Sequence, residues 1–354
     1  MKILLAAESW DATTGPYESL YPYMRSIFVD MGHEVQVVDN KKNYLPLGGR
    51  TMWEYPERGR RVLSSLNNRI VNRRLRRAAR EWQPDLILFL KCENVTNDTV
   101  EWLRRNTNAI LFNWDHDNPF KPENTSMDLL KAIPSYDAFG VWGRFLIPSL
   151  HSIGCKRVEY LPMFHNAARF TCDPVPSEEA QRFTSQIAFI GIGSPERARM
   201  LRHLLDYDLA IWGNWDFLPA DDPLRKRVRG ERLSGKEYCA ALRSTRIAVN
   251  VLNVQNSSAS NTRTFEAPGM GAFLLTEYTR EQAAELFVEG KEIACFRSPE
   301  ELRDKVRHYL SHDAEREQIA RAGRERVLRE HTLAHRLKRI CEVAEEVRSV
   351  RRNG

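Results

Sequence analysis

The sequence lacks an apolar run long enough to cross a membrane. No stretch approaches the ~18 consecutive apolar residues that a spanning helix needs. The first residues, MKILLAAESWDATTG, begin like a signal peptide, but their apolar run is short and turns acidic where a small-residue cleavage site should lie. We therefore interpret this segment as a first buried strand.

Paired cysteines are also lacking. The six cysteines are scattered singly, and no C-x-x-C pair occurs. Neither a zinc site nor a disulfide framework is therefore indicated. A reducing cytoplasm is the simplest expected setting.

The length and composition favour two ordinary domains. The chain has 354 residues, of which 42% are apolar, so each half can bury a core. The net charge of +6 points to an anionic partner without identifying it.

Short apolar runs alternate with helical patterns along both halves. The first half contains KILLAAES, HEVQVVD, PDLILFLK, NAILFNW and YDAFGVW, with helices predicted at about 61–82 and 97–106. The second half repeats this rhythm from SQIAFIGIG to EIACF. The alternation predicts an α/β protein with two Rossmann-like domains, 1–170 and 171–332, facing a cleft. Ligands are expected beyond the carboxyl ends of the strands.

The stretch FIGIGSPERAR predicts a strand-to-helix turn. Gly191 and Gly193 permit a tight turn, and such a turn is expected to offer backbone N–H groups to an anion. Arg197 and Arg199 add charge suited to phosphate. The alternative is a plain turn with surface arginines.

The stretch NTRTFEAPGMG combines a polar loop with a helix start. Asn261 begins the stretch, and Thr262 or Thr264 is predicted to cap the helix. Arg263 could pair with a leaving diphosphate, and Glu266 could accept two sugar hydroxyls. The alternative is that Glu266 complements the helix dipole and Arg263 is solvated. Taken together, these residues favour a site that binds a diphosphate and a sugar ring.

In the first half, LFNWDHDNPF ends a predicted strand with polar residues. Asp115, His116 and Asp117 could orient or deprotonate an acceptor hydroxyl. A metal site is a less favoured alternative. A third alternative is that these residues only form an Asx-type turn and have no function. Gly15 is predicted to lie in a flexible loop near the acceptor, or simply in a long loop.

Two further features have structural alternatives. Trp212 could flank a nucleotide base, although tryptophans after strands more often pack a core. The segment 58–80 predicts an amphipathic basic helix that could lie on an anionic membrane or could simply be solvated. Nucleic-acid binding is not indicated, since no binding motif occurs.

The stretch RTFEAPGMGAFLLTE, with GKEIACFRSPEELRDKVRHYL after it, resembles the C-terminal domain of CgeB-like glycosyltransferases of the GT-B fold. These are similar to the retaining family 4 enzymes, and the resemblance covers about 187–340. It implies that Glu266 holds the nucleotide ribose, that Arg197 and Arg263 contact the diphosphate, and that no metal or other cofactor is needed. It also implies that the C-terminal helix, 333–354, packs back on the first domain. Ser258 stands where family 4 enzymes carry a glutamate that contacts the donor sugar.

The resemblance thus implies a metal-independent, retaining glycosyltransferase. Its donor is expected to be a UDP-, GDP- or dTDP-sugar, and its acceptor a glycan, a lipid-linked molecule or a small molecule. It is expected in the cytoplasm, with possible attachment to the inner membrane face. The alternatives are a nucleotide-sugar epimerase and a non-catalytic glycan- or nucleotide-binding protein.

Overall fold

The computed structural model describes residues 1–7, 20–42, 44–45, 56–170, 177–231, 233, 235–256 and 258–353. The chain divides into two compact units. The first contains Met1–Leu161 and Arg336–Gly354, and the second contains Pro162–His335.

The first unit is built on a six-stranded parallel sheet with the strand order β2-β1-β3-β4-β5-β6. Its strands are β1 (Lys2–Ala7), β2 (Glu34–Asp39), β3 (Leu86–Leu90), β4 (Ile110–Asp115), β5 (Ala138–Val141) and β6 (Val158–Tyr160). Its connecting helices are α1 (Tyr21–Asp30), α2 (Glu57–Trp82), α3 (Asn97–Asn106), α4 (Met127–Ala132) and α5 (Ile147–Ser152).

The second unit repeats the architecture with the strand order β12-β11-β10-β7-β8-β9. Its strands are β7 (Ser185–Ile190), β8 (Leu209–Trp212), β9 (Val228–Gly230), β10 (Thr245–Asn250), β11 (Leu274–Glu277) and β12 (Ala294–Phe296). Its helices are α6 (Ser177–Phe183), α7 (Pro195–Arg202), α8 (Gly235–Ser244), α9 (Arg263–Gly269), α10 (Pro299–Ser311) and α11 (Asp313–Glu330).

Burial on both faces explains the continuous apolar runs of the central strands. Ile3 to Ala7 and Leu86 to Phe89 are almost completely inaccessible to solvent, as expected where helices cover a parallel sheet. The predicted α/β class is therefore confirmed. The three-residue edge strands β6 and β9 were not predicted, because their partly exposed side chains give no apolar run.

Helix ends follow the local chemistry of the sequence. Thr96 caps α3 by accepting from the Thr99 amide, and Ser194 caps α7 by accepting from the Arg197 amide. Gly32 follows α1 with a φ of 81°, the left-handed conformation expected of a glycine after a helix. The helix predicted at 61–82 begins four residues earlier, at Glu57.

The last helix, α12 (Leu333–Asn353), belongs to the first unit from Arg336 onward. Arg339 pairs with Glu159 at 3.2 Å, and Arg348 donates to the Asp85 carbonyl at 3.0 Å. In the part of the chain that the structure describes, no helix is both long and apolar enough to cross a membrane.

Candidate functional site

The predicted donor residues meet at the carboxyl ends of β7 and β10, which are neighbours in the second sheet. The Arg263 guanidinium donates to the carbonyl of Ile190, the last residue of β7, at 2.7 Å. The Arg197 guanidinium donates to the Val251 carbonyl, just after β10, at 3.0 Å. The two arginines are therefore anchored to main-chain groups at the same edge.

Glu266 lies at the centre of this group, in the first turn of α9. Its Oε2 accepts from the Tyr238 hydroxyl at 2.7 Å and from Arg263 Nη1 at 3.2 Å. Only 16% of its side chain and 19% of that of Arg263 are exposed. Burial raises the pKa of the Glu266 carboxyl, and the charge of Arg263 limits that rise. The carboxylate is thus held in place by one of its oxygens.

Aromatic rings complete the surroundings of Glu266. The Arg263 guanidinium lies 4.6 Å from the centre of the Tyr238 ring, and Phe170 meets that ring edge-on at 5.4 Å. Arg169 is close enough to lower the pKa of Glu266 electrostatically. Sequence reasoning missed Tyr238, Phe170 and Arg169, because they are distant in the chain and carry no motif.

Each arginine retains donors for an anion. A guanidinium has five N–H donors. Arg197 donates to the carbonyls of Val251 and Ile192, the second at 2.7 Å, and Arg263 donates to Ile190 and Glu266. Burial, and then the charge of Arg263, lowers the pKa of Arg197, so a bound anion would relieve unfavourable electrostatics at this edge.

The turn after β7 differs from the expected amide cradle. The Gly191 and Gly193 amides donate to the carbonyls of Trp212 and Asn214, each at 2.8 Å. These two N–H groups are therefore occupied, which corrects the expectation that they are offered to an anion. Gly193 has a steric role instead, since a Cβ there would lie 2.7 Å from the Trp215 ring.

The structure places Trp212 in the core. Only 3% of its surface is exposed, and it packs against Phe183. Arg229 covers its ring at 5.8 Å. This corrects the prediction that Trp212 flanks a base, because a base needs an open ring face. Phe217, which sequence reasoning missed, is 46% exposed and lies against Gly193.

The start of α9 is capped by a residue other than the predicted threonines. Asn261 Oδ1 accepts from the Thr264 amide at 3.1 Å, whereas Thr262 makes no side-chain cap. Asn261 also pairs with the Asn250 amide, and Thr264 donates to Gln282 at 2.8 Å. Asn261 and Thr264 were both predicted to bind the nucleotide sugar. In the structure their side chains hydrogen-bond to neighbouring residues of the same unit.

A second carboxylate lies near the arginines. Glu277, at the end of β11, accepts from the Leu252 amide at 3.0 Å, and its charge raises the pKa of Arg197. Burial raises the pKa of Glu277 itself. Ser258 is exposed. Glu277 is thus a second described carboxylate at this edge, besides Glu266.

The first sheet also gathers polar residues at its carboxyl edge. Asp115 ends β4 and is fully buried, and its Oδ1 accepts from the Asp117 amide at 2.9 Å. Burial raises the pKa of Asp115 to about 7 and lowers that of His116 to about 4. Asp115 is therefore suited to proton exchange near neutral pH, whereas His116 remains neutral there and can only donate or accept a hydrogen bond. Gly15 lies outside the described residues.

An unusual backbone positions a lysine beside these acids. Lys91 and Cys92, directly after β3, have φ values of 61° and 58°, a region that non-glycine residues rarely occupy. Lys91 Nζ donates to Asp117 Oδ2 at 2.8 Å. Backbone conformations of this kind are strained and are concentrated at functional sites. Sequence reasoning missed this, since no glycine marks the turn.

Metal ligands do not converge in the described parts of either unit. No group of three or more His, Cys, Asp or Glu side chains is placed there to hold an ion.

Comparison with known proteins gives one family match and several proteins of similar structure. Residues 197–342 match the model of a family described as glycosyl transferase-like. No curated protein sequence matches the chain significantly. Sucrose-phosphate synthase from Thermosynechococcus elongatus has a similar structure, with a TM-score of 0.69 at 13% identity over 99% of each chain. HepE of Anabaena, solved with UDP-glucose, gives 0.63 at 12% identity over 98% of this chain and 100% of that one. A putative UDP-N-acetylglucosamine 2-epimerase from Listeria monocytogenes gives 0.56 at 12% identity, with 96% and 94% covered.

These similarities support two predictions directly. The structural matches show that the fold is that of GT-B glycosyltransferases over the whole chain. The family match confirms the prediction of an enzyme of the glycosyltransferase class. The narrower assignment to CgeB-like or family 4 enzymes stays a prediction.

Proposed function

We propose that the protein transfers a sugar from a UDP-sugar to an acceptor hydroxyl, with retention at the anomeric carbon and without a metal ion. The observation that carries this proposal is the cluster of Glu266, Arg263 and Tyr238 beside Arg197, at the sheet edge within the glycosyl transferase-like segment. The choice of UDP is supported by the structural similarity to HepE, which was solved with UDP-glucose.

On the donor side, Glu266 is proposed to accept the ribose hydroxyls through Oε1, because Oε2 is engaged by Tyr238 and Arg263. Arg197 and Arg263 are proposed to bind the diphosphate. Departure of the nucleoside diphosphate builds negative charge, and cations already fixed by main-chain carbonyls stabilise it without reorganisation.

Glu277 is proposed to contact the donor sugar in place of the glutamate that is missing at Ser258. It belongs to the same edge, since it accepts from the amide of Leu252 in the loop after β10. A carboxylate there can hold sugar hydroxyls that the ribose site does not reach.

On the acceptor side, Asp115 and His116 are proposed to orient the attacking hydroxyl or accept its proton, with Asp117 and Lys91 fixing the surrounding loop. The pKa of Asp115, which burial raises to about 7, suits that exchange at neutral pH.

The experiment is a turnover assay with UDP-glucose and UDP-N-acetylglucosamine in the presence of EDTA, against a panel of glycan, lipid-linked and small-molecule acceptors. Release of UDP with a product of unchanged anomeric configuration, seen by NMR, supports the proposal. An epimerised nucleotide sugar formed without acceptor would instead identify an epimerase. Tight UDP binding without turnover on any acceptor would identify a binding protein.

A further inference from the structure

The positive charge of the protein is concentrated on one helix. α2 contains nine arginines and two glutamates, a net charge of +7. The whole chain carries +6. The remainder of the chain is therefore slightly acidic, and α2 alone accounts for the basic balance.

Six exposed residues of α2 follow one another along a single face. They recur at intervals of three and four residues, which places them on one side of the helix: Val62, Leu66, Arg69, Arg73, Arg77 and Arg80. We call these six residues the basic stripe. The opposite side of α2 packs into the first unit through Val71, Leu75 and Ala79.

The acids of α2 leave most of this charge uncompensated. Glu57 pairs with Arg61, which is outside the stripe, and Glu81 pairs with Arg77 at 2.7 Å. Arg69 and Arg73 make no ion pair with any residue that the structure describes. Charged side chains so close together repel one another, and an anionic partner would remove that repulsion.

Two aliphatic residues begin the stripe. Val62 is 59% exposed and Leu66 41% exposed, although both belong to a helix with a well-packed opposite face. Binding in a lipid headgroup region uses basic side chains for the lipid phosphates and apolar side chains for the acyl boundary, and the basic stripe presents both.

A groove opens beside the stripe, between α2 and the edge strand β2. It has a volume of about 730 Å³, and its lining includes Arg73, Arg74 and Arg77, the acid Glu81, and the rings of Tyr44 and Trp82. The Arg74 guanidinium stacks on the Tyr44 ring at 4.3 Å. The groove is large enough for a phosphate headgroup.

We propose that the basic stripe docks the protein on the surface of an anionic lipid bilayer. The arginines bind lipid phosphates, and Val62 and Leu66 enter the boundary between headgroups and acyl chains. A lipid partner is favoured over RNA for two reasons. Exposed aliphatic side chains contribute nothing on a phosphate backbone, and the nearby rings of Tyr44 and Trp102 are covered by Arg74 and Arg80 rather than open to bases.

The test is vesicle co-flotation of the full chain. Vesicles of phosphatidylcholine with about one third phosphatidylserine are compared with pure phosphatidylcholine at ~0.1 M salt. The variant Arg69→Gln, Arg73→Gln, Arg80→Gln is expected to lose about tenfold or more in binding to the anionic vesicles. The control Arg104→Gln, Arg321→Gln, Arg352→Gln removes the same charge from exposed positions elsewhere and should bind like the wild type.

A second variant separates insertion from charge. Val62→Ser with Leu66→Ser keeps every arginine and is expected to weaken vesicle binding. The binding that remains is then mainly electrostatic, so added salt should reduce it by a larger factor than it reduces binding of the wild type. Circular dichroism checks that all variants fold. The proposal is overturned if the wild type floats equally with neutral vesicles, or if the two triple variants bind alike. It is also overturned if a single-stranded RNA or free phosphoserine competes fully with the vesicles. None of these measurements requires sugar transfer. A failure of the membrane proposal therefore leaves the proposed activity intact, and a failure of the proposed activity leaves the membrane proposal intact.

Discussion

At the scale of single residues, the candidate donor site depends on side chains that hold Glu266 in place. Its carboxylate is largely buried, so it needs hydrogen bonds to remain ionised. Tyr238 and Arg263 provide them from different elements, which fixes the carboxylate direction before any ligand arrives. Such preorganisation lowers the cost of binding.

Replacing Tyr238 by Phe tests this directly. The change removes the hydroxyl that donates to Glu266 but keeps the ring beneath Arg263. We expect UDP to bind about 10-fold or more weakly, as for the loss of one hydrogen bond to a charged group. Isothermal titration calorimetry measures this, with Tyr207→Phe as the matched control. Equal affinity of Tyr238→Phe and wild type would show that Tyr238 does not position Glu266.

Glu277 should affect turnover more than nucleotide binding. Glu277→Gln keeps an acceptor for the Leu252 amide but removes the charge beside Arg197. We expect kcat to fall about tenfold or more with little change in the Kd for UDP, because the proposed contact is to the sugar. A weaker UDP affinity with unchanged kcat would place Glu277 in the nucleotide site instead.

Asp115 makes stability depend on pH. Burial raises its pKa from 3.8 to about 7. As the pH rises, Asp115 therefore ionises at a lower pH in the unfolded chain than in the folded protein. Stability is therefore greatest below pH 4 for this group and is lost progressively up to pH 7. Asp115→Asn, which keeps the acceptor for the Asp117 amide, should gain up to about 4 kcal/mol over the wild type at pH 8 and almost nothing at pH 4. Urea unfolding at both pH values checks this, and a gain that is equal at both would contradict it.

At the scale of elements, the turns at the strand ends determine the shape of the site. The β7–α7 turn uses its glycine amides to bind the β8 turn, and the two turns are packed backbone against backbone. Gly213 has a φ of 137°, and a Cβ there would lie 2.1 Å from the Gly191 carbonyl oxygen. Only a glycine at position 213 therefore allows both the backbone conformation of this turn and its close approach to the β7–α7 turn.

Gly213→Ala should separate the two turns. We expect a loss of about 2–4 kcal/mol in the free energy of unfolding, because the clash is with rigid backbone and the φ disfavours alanine. Gly230→Ala is the control, since its nearest neighbour would be 3.6 Å away. Chemical denaturation of the two variants should differ clearly, and similar stabilities would show that the turn adapts easily.

At the scale of the whole molecule, the sequence predicts more of the fold than of the site. Central strands such as β1 and β3 are buried on both faces and give unbroken apolar runs, so they could be located from the sequence. Glu266, Arg197 and Arg263 lie in motifs that follow apolar runs, so the sequence could place them near strand ends, and their role in a site stays a prediction. Tyr238 and Lys91 could not, because their positions depend on long-range packing and on a positive φ that no local pattern indicates. Trp212 was included among the nucleotide-binding residues because it follows a strand near the predicted ligand turn. The structure buries it in the core instead.

The central claim is that Glu266 and its partners form a nucleotide site that needs no metal. The most direct test is calorimetric titration of UDP into the wild type, Glu266→Gln and the exposed control Glu317→Gln, all in EDTA. We expect the wild type and the control to bind equally, and Glu266→Gln to bind about 10-fold or more weakly because the ribose hydroxyls lose a charged acceptor. UDP binding that is absent in EDTA, or unaffected by Glu266→Gln, would contradict the account.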